Sequence, residues 1–254
     1  MNIFTRLLLE LQEMALLVAR AVAGVFRKPR YWPETFAQMD SIGVGSLTII
    51  MLTGFFTGGV LTLQTYQTLA SYGAVSQLGY LVSVALIREL GPTLTALMVT
   101  GRVVSAISAE LGSMVVSQQI DAMRALGTDP IRKLVWPRVF ALLVSLPLLT
   151  VLADVLGIFG GWVTAVALYS VSSSVFISAV RDGITTDDLI GGVVKPIVFS
   201  LIIGTIACRQ GLSTEGGTVG VGRSTTRAVV MASIVVIIAD YFLAKALQVI
   251  LGTT

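Results

Sequence analysis

Apolar residues run along this chain in five blocks, and charged residues gather mainly in the intervals between them. The blocks cover roughly residues 42–63, 79–106, 137–168, 189–208 and 228–250. A bilayer core about 30 Å thick is crossed by a helix of about 20 residues, so the pattern predicts five transmembrane helices. The second and third blocks exceed that length, and those helices are expected to tilt, kink or protrude into water. Small residues recur within the blocks, at Gly54 and Gly58, at Gly157 and Gly161, and at Ser105, Ala109 and Ser113. Such spacing lets helices approach closely and by itself indicates packing.

Ahead of the first block the pattern changes. In residues 3–26 the charges Arg6, Glu10, Glu13 and Arg20 fall largely on one side of a helix, and Leu7, Leu8, Leu11, Ala15, Val18 and Val22 fall on the other. This predicts a helix lying in the membrane interface, with a conventional span as the alternative. The charges leave no clean apolar core, so the segment does not read as a signal peptide. Between the second and third blocks, SQQIDAMRALGTDPIRKL (residues 117–134) places Ile120, Met123, Leu126 and Gly127 at helical spacing beside Asp121 and Arg124, with Pro130 as a stop. It predicts a short amphipathic helix. Such a helix is either an ordinary connector or an element that a soluble motor grips.

Composition agrees with the pattern. Of 254 residues, 55% are hydrophobic and 12% are charged, and the mean hydropathy is +0.89, values foreign to a soluble domain. The fold class is all-α integral membrane, with residues 1–254 as one membrane domain. The lone Cys208 excludes an internal disulfide, and the absence of histidine removes the commonest transition-metal ligand and the usual base at neutral pH. A net charge of +3, scattered along the chain, does not suggest nucleic acid.

Charge sets an expected orientation. With the N-terminus cytosolic, the inner side carries Arg6, Arg20, Arg27, Lys28, Arg30, Arg124, Arg132, Lys133, Arg138, Arg209, Arg223 and Arg227, and the outer side carries Arg181 alone. Inner-side enrichment in Lys and Arg is the general rule for membrane proteins. The loop expected from Gln64 to Gly79 has no charge, and the C-terminus falls on the outer side.

Five charges remain at membrane depth: Arg88, Glu89, Asp154, Lys195 and Asp240, once Arg102 and Lys245 near span ends are set aside. An unpaired charge at the bilayer centre costs on the order of 3 kcal/mol even on lenient insertion scales, so these groups must be paired or wet. They form either an ion-pair network that fixes helix register or a water-accessible cavity that handles a polar group. Pro92 follows Arg88 and Glu89 in LIRELGP and has no N–H for the Arg88 carbonyl, which predicts a kink at the charges. Adjacent helical residues point about 100° apart, so Arg88 and Glu89 should face different partners, with Lys195 and Asp240 as candidates. GGTVGVGRST (residues 216–225) nearly matches a phosphate-binding loop, but Arg223 stands where that motif has Lys, and no strand precedes it. It reads as a glycine-rich turn opening the last span. No nucleophile and base pair appears, so an enzyme is not expected. An ion-coupled secondary transporter of an amphipathic or anionic substrate is one reading of charges at membrane depth, although no two related halves are evident.

The block LIRELGPTLTALMVTGRVVSAISAELGSMVVSQQIDAMRALGTDP, with SLPLLTVLADVLGIFGGW, VKPIVFSLIIG and VGRSTTRAVV, resembles the MlaE/YrbE permease family over nearly the whole chain from about residue 40. The resemblance implies an N-terminal interfacial helix and five spans in the bacterial inner membrane. It also implies a homodimer working with a cytosolic ABC ATPase, often a small STAS-domain protein, and a periplasmic MCE-domain protein. ATP and Mg would belong to the ATPase, and this chain would hold no cofactor. The usual cargo is phospholipid passing between inner and outer membranes, though relatives are associated with phospholipids, sterols or other lipids. Matched by position, the family's polar cluster falls on Arg88, Glu89, Lys195 and Asp240, and its lipid pocket on Leu61, Tyr66, Leu69, Tyr72, Leu78 and Val82. The coupling helix falls on Gln118 to Gly127, including Asp121, Ala122, Arg124 and Leu126. Asp154 stands where the family's Escherichia-type member is apolar.

Overall fold

The computed structural model describes residues 31–251 together with Gln12, and every regular element among them is helical. Apart from Gln12, the segment expected to form the interfacial helix lies outside the described residues. Five helices have the length and apolar character to cross a membrane: α1 Trp32–Ser71, α2 Val75–Val116, α4 Ile131–Tyr169, α6 Thr186–Leu212 and α7 Gly217–Leu251. Two shorter helices are α3 Gln119–Ala125 and α5 Ser173–Gly183.

Each predicted block is helical, and each helix outruns its block. The expected uncharged loop beginning at Gln64 is helical as far as Ser71. Loss of hydrophobicity does not end a helix; a terminating conformation does. Here Gly73, at φ 68°, donates to Ala70 O, and Ala74 N donates to Leu69 O at 2.9 Å, the paired bonds of a Schellman motif. Gly127 ends α3 in the same way, with Gly127 N on Arg124 O and Thr128 N on Met123 O.

Contacts gather the described residues into two compact units. The first holds residues 31–45, Val99–Ser145 and Val198–Ile237. Cys208, Ile107, Leu111 and Leu142 are buried in it, and a Cβ added to Gly211 would lie 3.0 Å from Ser108 O, so α2 and α6 meet there backbone to backbone. Arg138, also buried, reaches Glu110 at 2.7 Å and donates to Leu134 O at 2.7 Å. Trp32 and Trp136 flank Phe140 at centroid distances of 6.0 and 5.0 Å.

The second unit holds Ser46–Met98, Leu146–Ile197 and residues 238–251. Its α1–α4 contact is built on the glycines noted above. A Cβ on Gly54 would lie 2.7 Å from Ala153 O, and one on Gly58 would overlap Gly157 O. Helix α5 is not an element the apolar blocks predict, because it is amphipathic and too short to span. It lays Phe176 on Leu69, Leu78, Val82 and Leu86 and sits so close to the start of α2 that a Cβ on Gly79 would strike Phe176 O. Trp162 Nε1 donates to Ser173 Oγ at 2.9 Å across the α4–α5 turn.

Helices α1 and α7 keep most of their apolar windows uncovered. Only 22% of the apolar window of α1 and 17% of that of α7 is buried, against at least 50% for α2, α4 and α6. For α1 and α7 those faces are left to lipid or to another protein.

Candidate functional site

The site begins at the turn Leu86–Leu90, LIREL, where α2 widens to a π-helical turn and Gly91 N donates to Leu86 O five residues back. A wide turn of this kind absorbs the register fault that Pro92 brings, so the helix continues rather than stops. The Arg88 carbonyl, which Pro92 cannot serve, receives Lys195 Nζ at 2.8 Å. The same ammonium bonds Glu89 Oε2 at 2.5 Å. It also lies 3.1 Å from Asp240 Oδ1, an ion pair outside hydrogen-bond geometry. Lys195 is 1% exposed, and a buried ammonium is tolerable only with such a set of acceptors. One side chain of α6 thus gathers α2 and α7 around a backbone carbonyl freed by proline.

Arg88 points elsewhere, as adjacent helical positions require. Its Nε donates to Asp188 Oδ1, and Asp188 is the partner that reading by apolar blocks misses, because it precedes the fourth block. The helix in fact starts at Thr186. Asp188 Oδ2 accepts from Thr185 N and from Thr185 Oγ1, both at 2.8 Å, and Asp188 N reaches Thr185 Oγ1 at 3.4 Å. This is a reciprocal capping box, and its signature, Thr-x-x-Asp, stands in the sequence at 185–188. The cap holds the Asp188 carboxylate at 1% side-chain exposure, while the Arg88 side chain stays 40% exposed. The Nη groups of Arg88 have no protein acceptor among the described residues.

Asp154 of α4 packs on the same turn. It is 8% exposed, its Oδ1 has no hydrogen-bond partner among the described residues, and a Cβ on Gly91 would overlap it. Arg102, set aside as a span-end residue, is exposed and donates to Ser41 O at 3.2 Å.

Arg88, Glu89, Asp187, Asp188 and Lys195 border a cavity of about 50 Å³ closed on the α7 side by Leu247. That is room for a few waters and not for a phospholipid headgroup. The very next residue, Leu90, lines an apolar groove of about 500 Å³ formed with Leu52, Phe56, Val60 and Leu61 of α1 and Met98 of α2. Of the residues matched to a lipid pocket, Leu61 lies in this groove. Leu69, Leu78 and Val82 are buried beneath α5. Tyr66 stacks on Tyr169 at 3.7 Å, and Tyr72 is 81% exposed. Leu61 and Tyr66 also pack against the cluster that holds Leu69, Leu78 and Val82, so five of the six belong to one apolar region, with Tyr72 exposed.

The segment from Gln118 to Gly127 is built as a surface element. Gln118 takes a left-handed conformation at φ 58°, Ile120 is buried as the anchor, and Asp121, Ala122, Arg124, Leu126 and Gly127 are exposed. Asp121 and Arg124 pair at 2.9 Å, and Leu126 is 83% exposed. Of the near-match to a phosphate loop, residues from Gly217 onward are helical, and Ser224 Oγ bonds Thr214 Oγ1 at 2.7 Å and Gly220 O. That hydroxyl is used within the fold, and the segment opens the last long helix.

Long apolar helices enclosing a buried, paired charge cluster define a multi-pass helical membrane protein with a polar centre. The chain belongs to the MlaE permease family, whose profile, described as Permease MlaE, matches residues 35–246. It is 39% identical to a probable ABC transporter permease protein of Rickettsia bellii over 89% of this chain and 87% of the relative. It is 41% identical to a probable ABC transporter permease of Synechocystis over 83% and 80%. It is 37% identical to the intermembrane phospholipid transport system permease protein MlaE of Haemophilus influenzae over 88% and 86%.

Proposed function

We propose that this protein is the membrane subunit of an ABC transporter that moves phospholipid between the inner membrane and a periplasmic MCE-domain protein leading to the outer membrane. It works as a homodimer with a separate cytosolic ATPase, which carries ATP and Mg, and with a STAS-domain protein where one accompanies that ATPase. One observation carries this reading: Glu89 borders the ionic cavity and Leu90 the apolar groove, so a charged and an apolar surface meet at one helical turn. An amphipathic ligand needs that juxtaposition. The unpaired Nη groups of Arg88 suit a phosphodiester, and the exposed Glu89 suits an amine.

The cavity is small because its cations are held by its own carboxylates. Headgroup entry therefore requires Arg88 to exchange Asp188, or Lys195 to exchange Glu89, for the ligand. Strain relayed through the exposed face of α3 when the ATPase closes is the energy source for that exchange. The test is lipid transfer between vesicles by the reconstituted complex. Arg88→Ala with Glu89→Ala should reduce transfer at least tenfold while the complex still assembles, and unchanged transfer would reduce the cluster to a structural brace. Asp121→Arg should weaken retention of the ATPase during purification, and full retention would remove α3 from the docking role.

A further inference from the structure

A second amphipathic site stands apart from the polar cluster, within the first unit. The last turns of α6 and the first half of α7 border a groove of about 660 Å³, within the range of ordinary ligand sites. Arg209 and Gln210 come from the end of α6, Ser213 from the turn that follows it, and Arg227 from α7. Two arginines and no acidic residue line the groove. The cavity at LIREL is different: Glu89, Asp187 and Asp188 outnumber Arg88 and Lys195 there. An anion in the groove at Arg227 meets none of the carboxylates that line the cluster.

Beyond the two arginines the wall turns apolar. Val230 and Ile234 follow Arg227 by three and seven residues, on one face of α7, and they are 52% and 53% exposed. From Arg227 to Ile234 the helix rises about 10 Å, so the apolar wall continues directly from the basic end. The Gln210 amide, between the two zones, donates only to Met231 Sδ at 3.4 Å, a weak acceptor that an oxygen ligand would displace. Arg227 has no protein partner among the described residues.

We infer that this groove binds an anionic phospholipid, with the phosphodiester between Arg209 and Arg227 and an acyl chain along Val230 and Ile234. The alternation of basic end and apolar wall selects a lipid over a soluble anion, and the missing carboxylates select a net negative headgroup over a zwitterionic one. The site is independent of the cargo and of the role of the LIREL cluster.

The experiment measures thermal stability of the purified chain in detergent with added phosphatidylglycerol, phosphatidylcholine or inorganic phosphate. Phosphatidylglycerol should raise the midpoint by several degrees more than phosphatidylcholine, and phosphate should leave it unchanged. Arg209→Gln with Arg227→Gln should abolish the difference between the lipids. Ile234→Trp, which fills the groove without touching its charge, should weaken the response to phosphatidylglycerol, and a matching elution profile for each variant shows that it folds. Equal shifts from both lipids, a phosphate shift as large as that from phosphatidylglycerol, or a preference surviving in the double variant would each overturn the assignment. So would efficient disulfide cross-linking of Ile234→Cys between two copies, because a second chain would then cover the groove.

Discussion

Lys195 shows how a single residue reconciles a proline, a membrane and a charge. Pro92 leaves one carbonyl without its helical donor, and burial makes that omission costly. The Lys195 ammonium satisfies the carbonyl and is itself neutralised by Glu89 and Asp240. Removing the cation strands two carboxylates at once, and breaking a buried ion pair from one side costs on the order of 3 kcal/mol. Lys195→Met should accordingly lower the thermal midpoint in detergent, and Asp240→Asn in the same chain should restore part of the loss. A midpoint equal to that of the unaltered protein would mean that water, not Lys195, satisfies the turn. At this scale the partners of Lys195 are legible, because charges at membrane depth must find one another. The partner of Arg88 is not, because Asp188 lies outside the apolar block and only its capping box marks it.

At the scale of elements, glycine sets the separation of helices. Interhelical contact in a bilayer draws on close packing, since lipid offers no hydrophobic drive between helices. In the α1–α4 contact Gly58 leaves no room for a methyl group beside the Gly157 carbonyl. Gly58→Ala must push backbone against backbone, and overpacking of this kind costs typically 1–3 kcal/mol. Thermal unfolding should register that loss, whereas Gly101→Ala, with open space around it, should change little. A Gly58→Ala protein as stable as the parent would refute the rigid contact. Helix α5 escapes hydropathy for a plain reason: it covers a core without crossing the membrane, and its apolar side is only a stripe.

For the whole molecule, the distribution of charge predicts which ends face the cytosol. By the count above, twelve basic residues are expected on the α3 side and Arg181 alone on the α5 side, so α3 should be cytosolic and α5 periplasmic. Cys208 is buried and leaves a clean background for thiol labelling. A membrane-impermeant maleimide applied to intact cells with the outer membrane permeabilised should label Asp182→Cys, and should label Asp121→Cys only after the inner membrane is opened. The reverse order would invert the topology and detach α3 from any cytosolic motor. The sequence by itself determined the five spans, the small residues that permit close packing and the set of charges needing partners, since the bilayer as solvent imposes span length and penalises any charge left alone. Only the tertiary structure decided that Asp188 holds Arg88, that Leu69, Leu78 and Val82 lie under α5 with Leu61 and Tyr66 packed against them, and that Leu61 also borders the groove of α1 and α2. Those outcomes depend on which way each helix is turned about its axis, and hydropathy records how long an apolar stretch is without recording its direction.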